Sequence, residues 1–446
     1  MDEKATGAAT LKALRLRRGL SLADTARMMI SIAKRLGRPG GTLPTVAGLQ
    51  RSVARWESTK PSLPDTHHQL LLAHLYGRTP TGTIALGAGS DFAELLDALA
   101  HLGEGATRLA ELRSMLIRTA TDQGGGMLAL LSTDVQAGLS AALADPSLAD
   151  DEVVAGLSAV VSDVNAQVGG LPFARLQLLL APALETCRRL TADEVPEALR
   201  PRLRAVSVAA HTLAGRLAFE TRDDVASRAL YAVATREAGL LPDPWQRATV
   251  HMSHALTTLY SAQGLDLART LVDAAVRDAC TGGSGVVRAR AHALQAEIAA
   301  RAGEQRQAQA ALGLAWYDME GDHRGDPAAS SFSPGHLRGF EGVCELYAGD
   351  AARAHERFVS AAGALTTPRE RVQRAITATD QALARIRMDD PRAAADLLHE
   401  CVLAIATTGG RVPAIRLRRA RRELRPWRRE HWAVDLDDHL MDVLGS

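Results

Sequence analysis

Between residues 199 and 425 the chain repeats itself. A turn carrying Gly or Asp is followed by an Ala and, four residues later, by a larger apolar residue: Ala226/Leu230, Ala268/Val272, Ala308/Leu312, Ala354/Phe358 and Ala394/Leu398. The Ala positions are spaced 42, 40, 46 and 40 residues apart. Small residues stand ahead of the turns at Thr257, Ala296, Gly342 and Ala382. Residues four apart share one face of a helix. A small residue on one helix lets its neighbour approach closely, and the large residue fills the remaining gap. A single helix pair cannot bury its own apolar face, so such units must stack into an array. Leu, Ala and Arg dominate and aromatics make up only 4% of the 446 residues. Ala and Leu favour helix, and the expected fold class is all-α.

Several classes of protein are excluded on composition and spacing. The opening Met1-Asp2-Glu3-Lys4 is acidic and without an apolar core, so no secretory leader is expected there. The uncharged run from Ala248 to Leu265 contains two His with several Ser and Thr, which is unsuited to a membrane span. Cys187, Cys280, Cys344 and Cys401 are far apart and form no C-x-x-C pair. Neither a zinc site nor a disulfide framework is expected; reduced core thiols in a cytoplasmic protein are.

The overall charge of +1 hides an asymmetry. Residues 1–80 contain 13 Lys or Arg against 5 Asp or Glu, while residues 91–446 contain 39 against 46. A small basic head on an acidic body attracts phosphate and steers association with nucleic acid, although small helical domains are often basic without binding it. Residues 79–90 are uncharged and rich in Gly and Thr and read as a linker. The expected domains are a head at 1–78 and a helical body at 91–446.

Within the head, Thr10–Arg18 reads as a helix stopped by Gly19, and Ser21 as the N-cap of a second helix carrying Leu22, Thr25, Ala26 and Met29. Pro44 suits the first turn of a third helix running to about Ser58, and Leu63–Tyr76 forms a fourth. On the third helix Val46, Leu49, Val53 and Trp56 share the expected core face. Arg51, Arg55 and Ser58 fall opposite, with Gln50 and Ser52 at the flanks.

The string Leu14-Arg15-Leu16-Arg17-Arg18-Gly19-Leu20-Ser21-Leu22-Ala23-Asp24-Thr25-Ala26 resembles the opening of the xenobiotic-response-element (XRE, Cro/repressor-like) helix-turn-helix. Val53-Ala54-Arg55-Trp56-Glu57-Ser58-Thr59-Lys60-Pro61-Ser62 resembles the end of its recognition helix and the following loop. The body pattern resembles degenerate tetratricopeptide repeats. Together with Phe340-Glu341-Gly342-Val343-Cys344 and the Arg-rich last helices, the chain is similar to actinobacterial XRE regulators with a tetratricopeptide-like body. The resemblance implies an N-terminal helix-turn-helix domain followed by a tetratricopeptide-like α-solenoid. It implies DNA contact through Gln50, Arg51, Ser52, Arg55, Ser58 and Lys60. Arg suits a guanine edge and Gln an adenine edge, while Ser and Lys60 suit phosphates. It also implies a structural role for Trp56 and for an Arg15–Glu57 pair. Residues 28–43 depart from the family as an insertion that alters the approach to the recognition helix.

No grouping calls for catalysis, a metal or a cofactor. His251 and His254 lie three apart on a helix but lack a third ligand, so packing or capping is expected. His399-Glu400-Cys401 are sequence neighbours that point apart, and Gly282-Gly283-Ser284-Gly285 is an interhelix loop. Nine Arg lie between Arg411 and Arg429. Their stems suit an apolar edge and their heads the acidic body; a second phosphate-binding strip or docking against a partner subunit are the alternatives.

The expected function is a cytoplasmic, sequence-specific DNA-binding regulator of transcription. Homodimerisation through the body would match a palindromic site in double-stranded DNA. A solenoid surface suits a peptide or small-molecule effector, although the single Asn, Asn165, argues against a peptide gripped by amides. The alternative is a tetratricopeptide-type interaction adaptor without specific DNA binding.

Overall fold

The computed structural model describes residues 3–36, 45–122, 127–192, 195–261, 264–367 and 370–444, which form 21 α-helices and no strand. The chain is all-helical in these residues. It divides into two compact units, Met1–Gly156 and Leu157–Ser446. No described helix is long and apolar enough to cross a membrane.

In the first unit, α1 (Glu3–Arg17) begins several residues before the expected Thr10 and is followed by Gly19. The φ of Gly19 is +66°, a left-handed conformation that glycine adopts without strain. The Ser21 hydroxyl accepts from the Asp24 N–H and the Asp24 carboxylate accepts from the Ser21 N–H, a reciprocal box that starts α2 (Leu22–Arg35). Thr45, Asp65 and Ser90 cap α3 (Val46–Trp56), α4 (Thr66–Tyr76) and α5 (Asp91–His101) in turn. The unit continues with α6 (Ala106–Asp122) and α7 (Thr133–Ala144). One core joins Leu14, Met29, Leu49, Val53, Trp56, Leu71, Phe92, Leu95 and Leu112. Val46, expected on the core face, is 36% exposed because it is the first residue of α3, at the edge of that core.

Helix α5 belongs to the same core. Gly7 on α1 faces it so closely that a Cβ there would lie 2.6 Å from the Ala98 carbonyl oxygen. Within residues 79–90, read from sequence as a linker, 84–87 pack here too, while 80–83 are exposed. Ile84, Ala85 and Leu86 are buried. The Leu86 N–H donates to the Ala129 carbonyl at 2.7 Å, and Gln136 Nε2 donates to the Ile84 carbonyl at 2.9 Å.

Helix α8 (Asp151–Ala166) spans the boundary between the units. In the second unit α9 (Phe173–Ala192) packs on α10 (Arg200–Glu220). Five helix pairs then succeed one another: α10 with α11 (Asp224–Ala238), α12 (Trp245–Leu259) with α13 (Gly264–Thr281), and α14 (Gly285–Arg301) with α15 (Gln305–Met319). The last two are α16 (Pro334–Ala348) with α17 (Ala351–Ala364) and α18 (Arg371–Arg387) with α19 (Pro391–Thr408). The first helices of neighbouring pairs also touch, α10 to α12, α12 to α14, α14 to α16 and α16 to α18. Then α20 (Arg411–Glu423) packs on α18, and α21 (His431–Leu444) on α19.

The turn inside the pairs has a recurring chemistry. Arg222, Gly303, Gly349 and Asp389 take left-handed φ values of 70°, 81°, 92° and 61°. An acidic residue follows each, and Asp223, Asp350 and Asp390 cap the next helix through the N–H three residues on. This turn corrects the repeat register in the first pair. The buried residues there are Ser227 and Tyr231, four and eight after the Asp223 cap, whereas Ala226 and Leu230 are only partly buried. Ala354/Phe358 and Ala394/Leu398 stand at the same offsets from Asp350 and Asp390 and are fully packed. Opposite Tyr231 and Phe358 lie Gly215 and Gly342, where a Cβ would approach the rings to 3.0 and 2.6 Å. Close approach of the two helices therefore needs glycine at both points.

Candidate nucleic-acid interface

Helix α3 is amphipathic by construction. Leu49, Val53 and Trp56 are buried, while Gln50, Arg51 and Arg55 are exposed on the other side. Ser52 and Ser58 are half-buried, and their hydroxyls donate to the Gly48 and Arg55 carbonyls at 3.3 and 2.9 Å. Arg51 Nε donates to the Ala47 carbonyl at 3.3 Å, which lays the side chain along its own helix. Lys60 is exposed in the loop beyond. Among the described residues Arg51, Arg55 and Lys60 make no ion pair, so three cations on or beside one helix face water.

The far end of α3 is clamped. Glu57, its C-cap, receives Arg15 Nε at 2.8 and 3.1 Å and Arg15 Nη2 at 2.7 Å. Arg15 Nη1 also donates to the Leu20 carbonyl at 2.8 Å in the turn between α1 and α2. Both side chains are less than 10% exposed. The bonds to Glu57 outweigh the burial that opposes the Arg15 charge and hold its pKa above the ordinary value. A forked, two-point bond fixes orientation as well as distance, so α3 is held at a set angle to α1 and α2. Trp56 adds a tilted ring contact to His68 of α4, with centroids 5.2 Å apart.

Two basic residues of the head are otherwise engaged. Arg18 donates to Asp91 at 2.5 Å and to the Leu75 carbonyl at 2.9 Å, and Arg17 reaches Asp91 and Glu94. Both tie α1 to α5, a role hidden in sequence because the acceptors lie more than seventy residues away. Of the apparent insertion, residues 28–35 extend α2; residues 37–44, including Pro44, lie outside the described residues.

In the second unit the Arg-rich segment has two faces. On the inward face, Arg411 pairs with Asp224, and the Val412 N–H donates to Glu220 at 3.1 Å. Arg416 pairs with Asp380 and donates to the Tyr260 hydroxyl, while Arg419 Nη1 donates to the Tyr347 hydroxyl at 2.9 Å. Those tyrosines also receive Arg301, at 3.1 and 3.0 Å, and Arg301 in turn bonds Glu297 at 2.6 Å. Side chains from the C-terminal halves of α14, α16 and α18, and Tyr260 just past α12, thus meet those of α20 in one buried network. Burial works against the Arg301 and Arg416 charges, but the neighbouring carboxylates and tyrosines keep both pKa values raised. The outward face carries Arg418, Arg421, Arg422, Arg425 and Arg428, all exposed.

The remaining candidates fall into packing roles. His254 stacks on Tyr231 with centroids 4.6 Å apart, and His251 Nε2 lies 3.6 Å from Asp278. Cys187, Cys344 and Cys401 are buried and Cys280 is exposed, all as free thiols. Burial pushes Cys187 and Cys401 up to about 12, far from a reactive thiolate. His399 Nδ1 meets His439 Nδ1 at 2.7 Å.

Neither a scan against protein-family models nor a search of curated proteins finds a match to this chain.

Proposed function

We propose that the chain is a sequence-specific DNA-binding regulator of transcription. In this reading the first unit contains an XRE-type helix-turn-helix, and the second is a tetratricopeptide-like solenoid that pairs two copies and takes the input signal. The observation that carries it is α3. One face is packed by Leu49, Val53 and Trp56, its end is clamped by the Arg15–Glu57 fork, and Gln50, Arg51 and Arg55 are exposed on the other side, the two arginines without ion-pair partners among the described residues. A rigid helix presenting two guanidinium groups and an amide suits the donor and acceptor edges of a major groove.

The test is binding of the full chain to its own upstream DNA against scrambled DNA, titrated across salt. Tight, sequence-dependent binding with a steep salt slope is expected. The Arg51→Ala/Arg55→Ala double variant should lose about 1–3 kcal/mol per arginine while keeping its helical circular-dichroism signal. Equal binding to both DNAs, unchanged in the double variant, would favour an interaction adaptor instead.

A further inference from the structure

The outward arginines of the C-terminal segment surround a cavity. It lies between α20, the short turn after it and α21, and its volume is about 680 Å³. Arg418, Arg421, Arg422, Arg425 and Arg428 form its walls. Only Arg421 has a carboxylate, Asp437 at 2.5 Å; among the described residues the other four make no ion pair. Leu424 and Leu436 supply a buried apolar floor. Arg418, Arg421 and Arg422, three and four apart, share one side of α20, away from the side that buries Arg416, Leu417 and Ala420, and Arg425 and Arg428 stand in the short turn that follows it.

Four unbalanced guanidinium groups around one concavity repel each other, and an anion placed among them removes that repulsion. A guanidinium fork matches the geometry of phosphate oxygens. The volume falls in the range of small-ligand sites, roughly 300–1,000 Å³. One feature favours a compact anion over a nucleic-acid strand: the arginines line a hollow between two helices rather than a ridge. The apolar floor offers a seat for a flat ring attached to the phosphates.

We propose that the cleft between α20 and α21 binds a small polyphosphate-bearing ligand of the nucleotide class. The site lies wholly within the second unit and does not depend on the head reading DNA.

The test uses the full chain and isothermal titration calorimetry with inorganic tripolyphosphate, ATP, GTP and adenosine as probes. Saturable binding of tripolyphosphate and of at least one nucleotide, with none of adenosine, is expected. A nucleotide tighter than tripolyphosphate places the base on the Leu424/Leu436 floor; equal affinity assigns recognition to the phosphates alone, and either result supports the site. The exposed double variant Arg422→Gln/Arg425→Gln should weaken binding by about tenfold for each guanidinium removed, with its unfolding midpoint unchanged. Three results overturn the proposal, of which the first two are no saturable binding by any phosphate probe below about 1 mM and binding that the double variant leaves intact. A third is a random DNA duplex whose binding to the chain the same variant abolishes while tripolyphosphate fails to compete, which would make the cleft a nucleic-acid surface.

Discussion

Gly342 of α16 lies against Phe358 of α17, and the pair can be tested directly. An alanine Cβ at 342 would lie 2.6, 2.7 and 3.0 Å from three carbons of a ring that is 1% exposed. The ring is sealed in its core and cannot swing into solvent. Two effects oppose each other in Gly342→Ala. The helix gains about 1 kcal/mol because alanine restricts the unfolded chain. Overpacking costs about 1–3 kcal/mol. Gly313, in the middle of α15, isolates the first effect, since its Cβ position is open space. Gly313→Ala should therefore stabilise by roughly 0.5–1 kcal/mol. Subtracting the two variants removes the helix gain and leaves the steric cost, a gap of about 1–3 kcal/mol. Phe358→Leu should close most of that gap in the Gly342→Ala background while costing about 1 kcal/mol or more on its own. Urea unfolding followed by circular dichroism measures the four variants against wild type, with a constant slope confirming that the same transition is compared. Equal effects of the two alanines, or no recovery on shortening Phe358, would refute the close-approach account of the repeat.

Two further perturbations probe the units separately. Arg15→Met leaves the Glu57 carboxylate buried without its fork and should destabilise the first unit by about 3–5 kcal/mol, read as a lower melting temperature; an unchanged melting temperature would show that α3 is held by its apolar face alone. In the second unit burial, aided by His251 and Arg228, pushes His254 down to about 4, so the fold prefers it neutral. The stability it contributes is complete above the unfolded histidine pKa of about 6.5 and is lost as pH falls from there toward 4. Allowing for partial exposure, that loss is roughly 1–2 kcal/mol between about pH 7 and 5. His254→Phe keeps a ring on Tyr231 and should flatten the urea-midpoint profile over that interval by the same amount; a profile parallel to wild type would contradict it.

The helical repeat was legible because its period is set by local packing, yet its register in the first pair was not. Alanine is so common here that Ala226 imitates a packing position, while the residue that fills it is Ser227, whose hydroxyl donates to the Gly215 carbonyl at 2.8 Å. The acidic cap four residues earlier is the better marker, because it fixes where the helix starts. On α3 the outward side of Arg51 and Arg55 followed from periodicity alone; Ser58, expected beside them, is half-buried because it lies past the helix end at Trp56, and Gln50, expected at the flank, is exposed. Val46 did not obey it, since periodicity carries no information about where the partner surface ends. Residues 79–90 have linker composition and 80–83 are exposed, but the apolar Ile84, Ala85 and Leu86 among them are buried, which the contacts to Ala129 and Gln136 reveal and composition does not. The two-faced arginine segment was least legible: Arg411 finds Asp224 across 187 residues of chain.

That two-faced segment also bears on where an effector can act. A peptide entering the surface formed by Tyr260 and the C-terminal halves of α14, α16 and α18 would have to displace Arg416 from Asp380 and Glu297, two carboxylates less than 10% exposed. Stranding buried charges in this way costs several kcal/mol, about 3–5 for a single broken pair, before any new contact forms. A ligand among Arg418, Arg422, Arg425 and Arg428 displaces no protein partner and relieves a repulsion already present. The two faces therefore differ in sign: occupation of the inner one works against the folded network, and occupation of the outer one adds to it. An effector of the second unit is accordingly expected on the outer face of α20, as an anion, with the inner face serving to hold α20 in place.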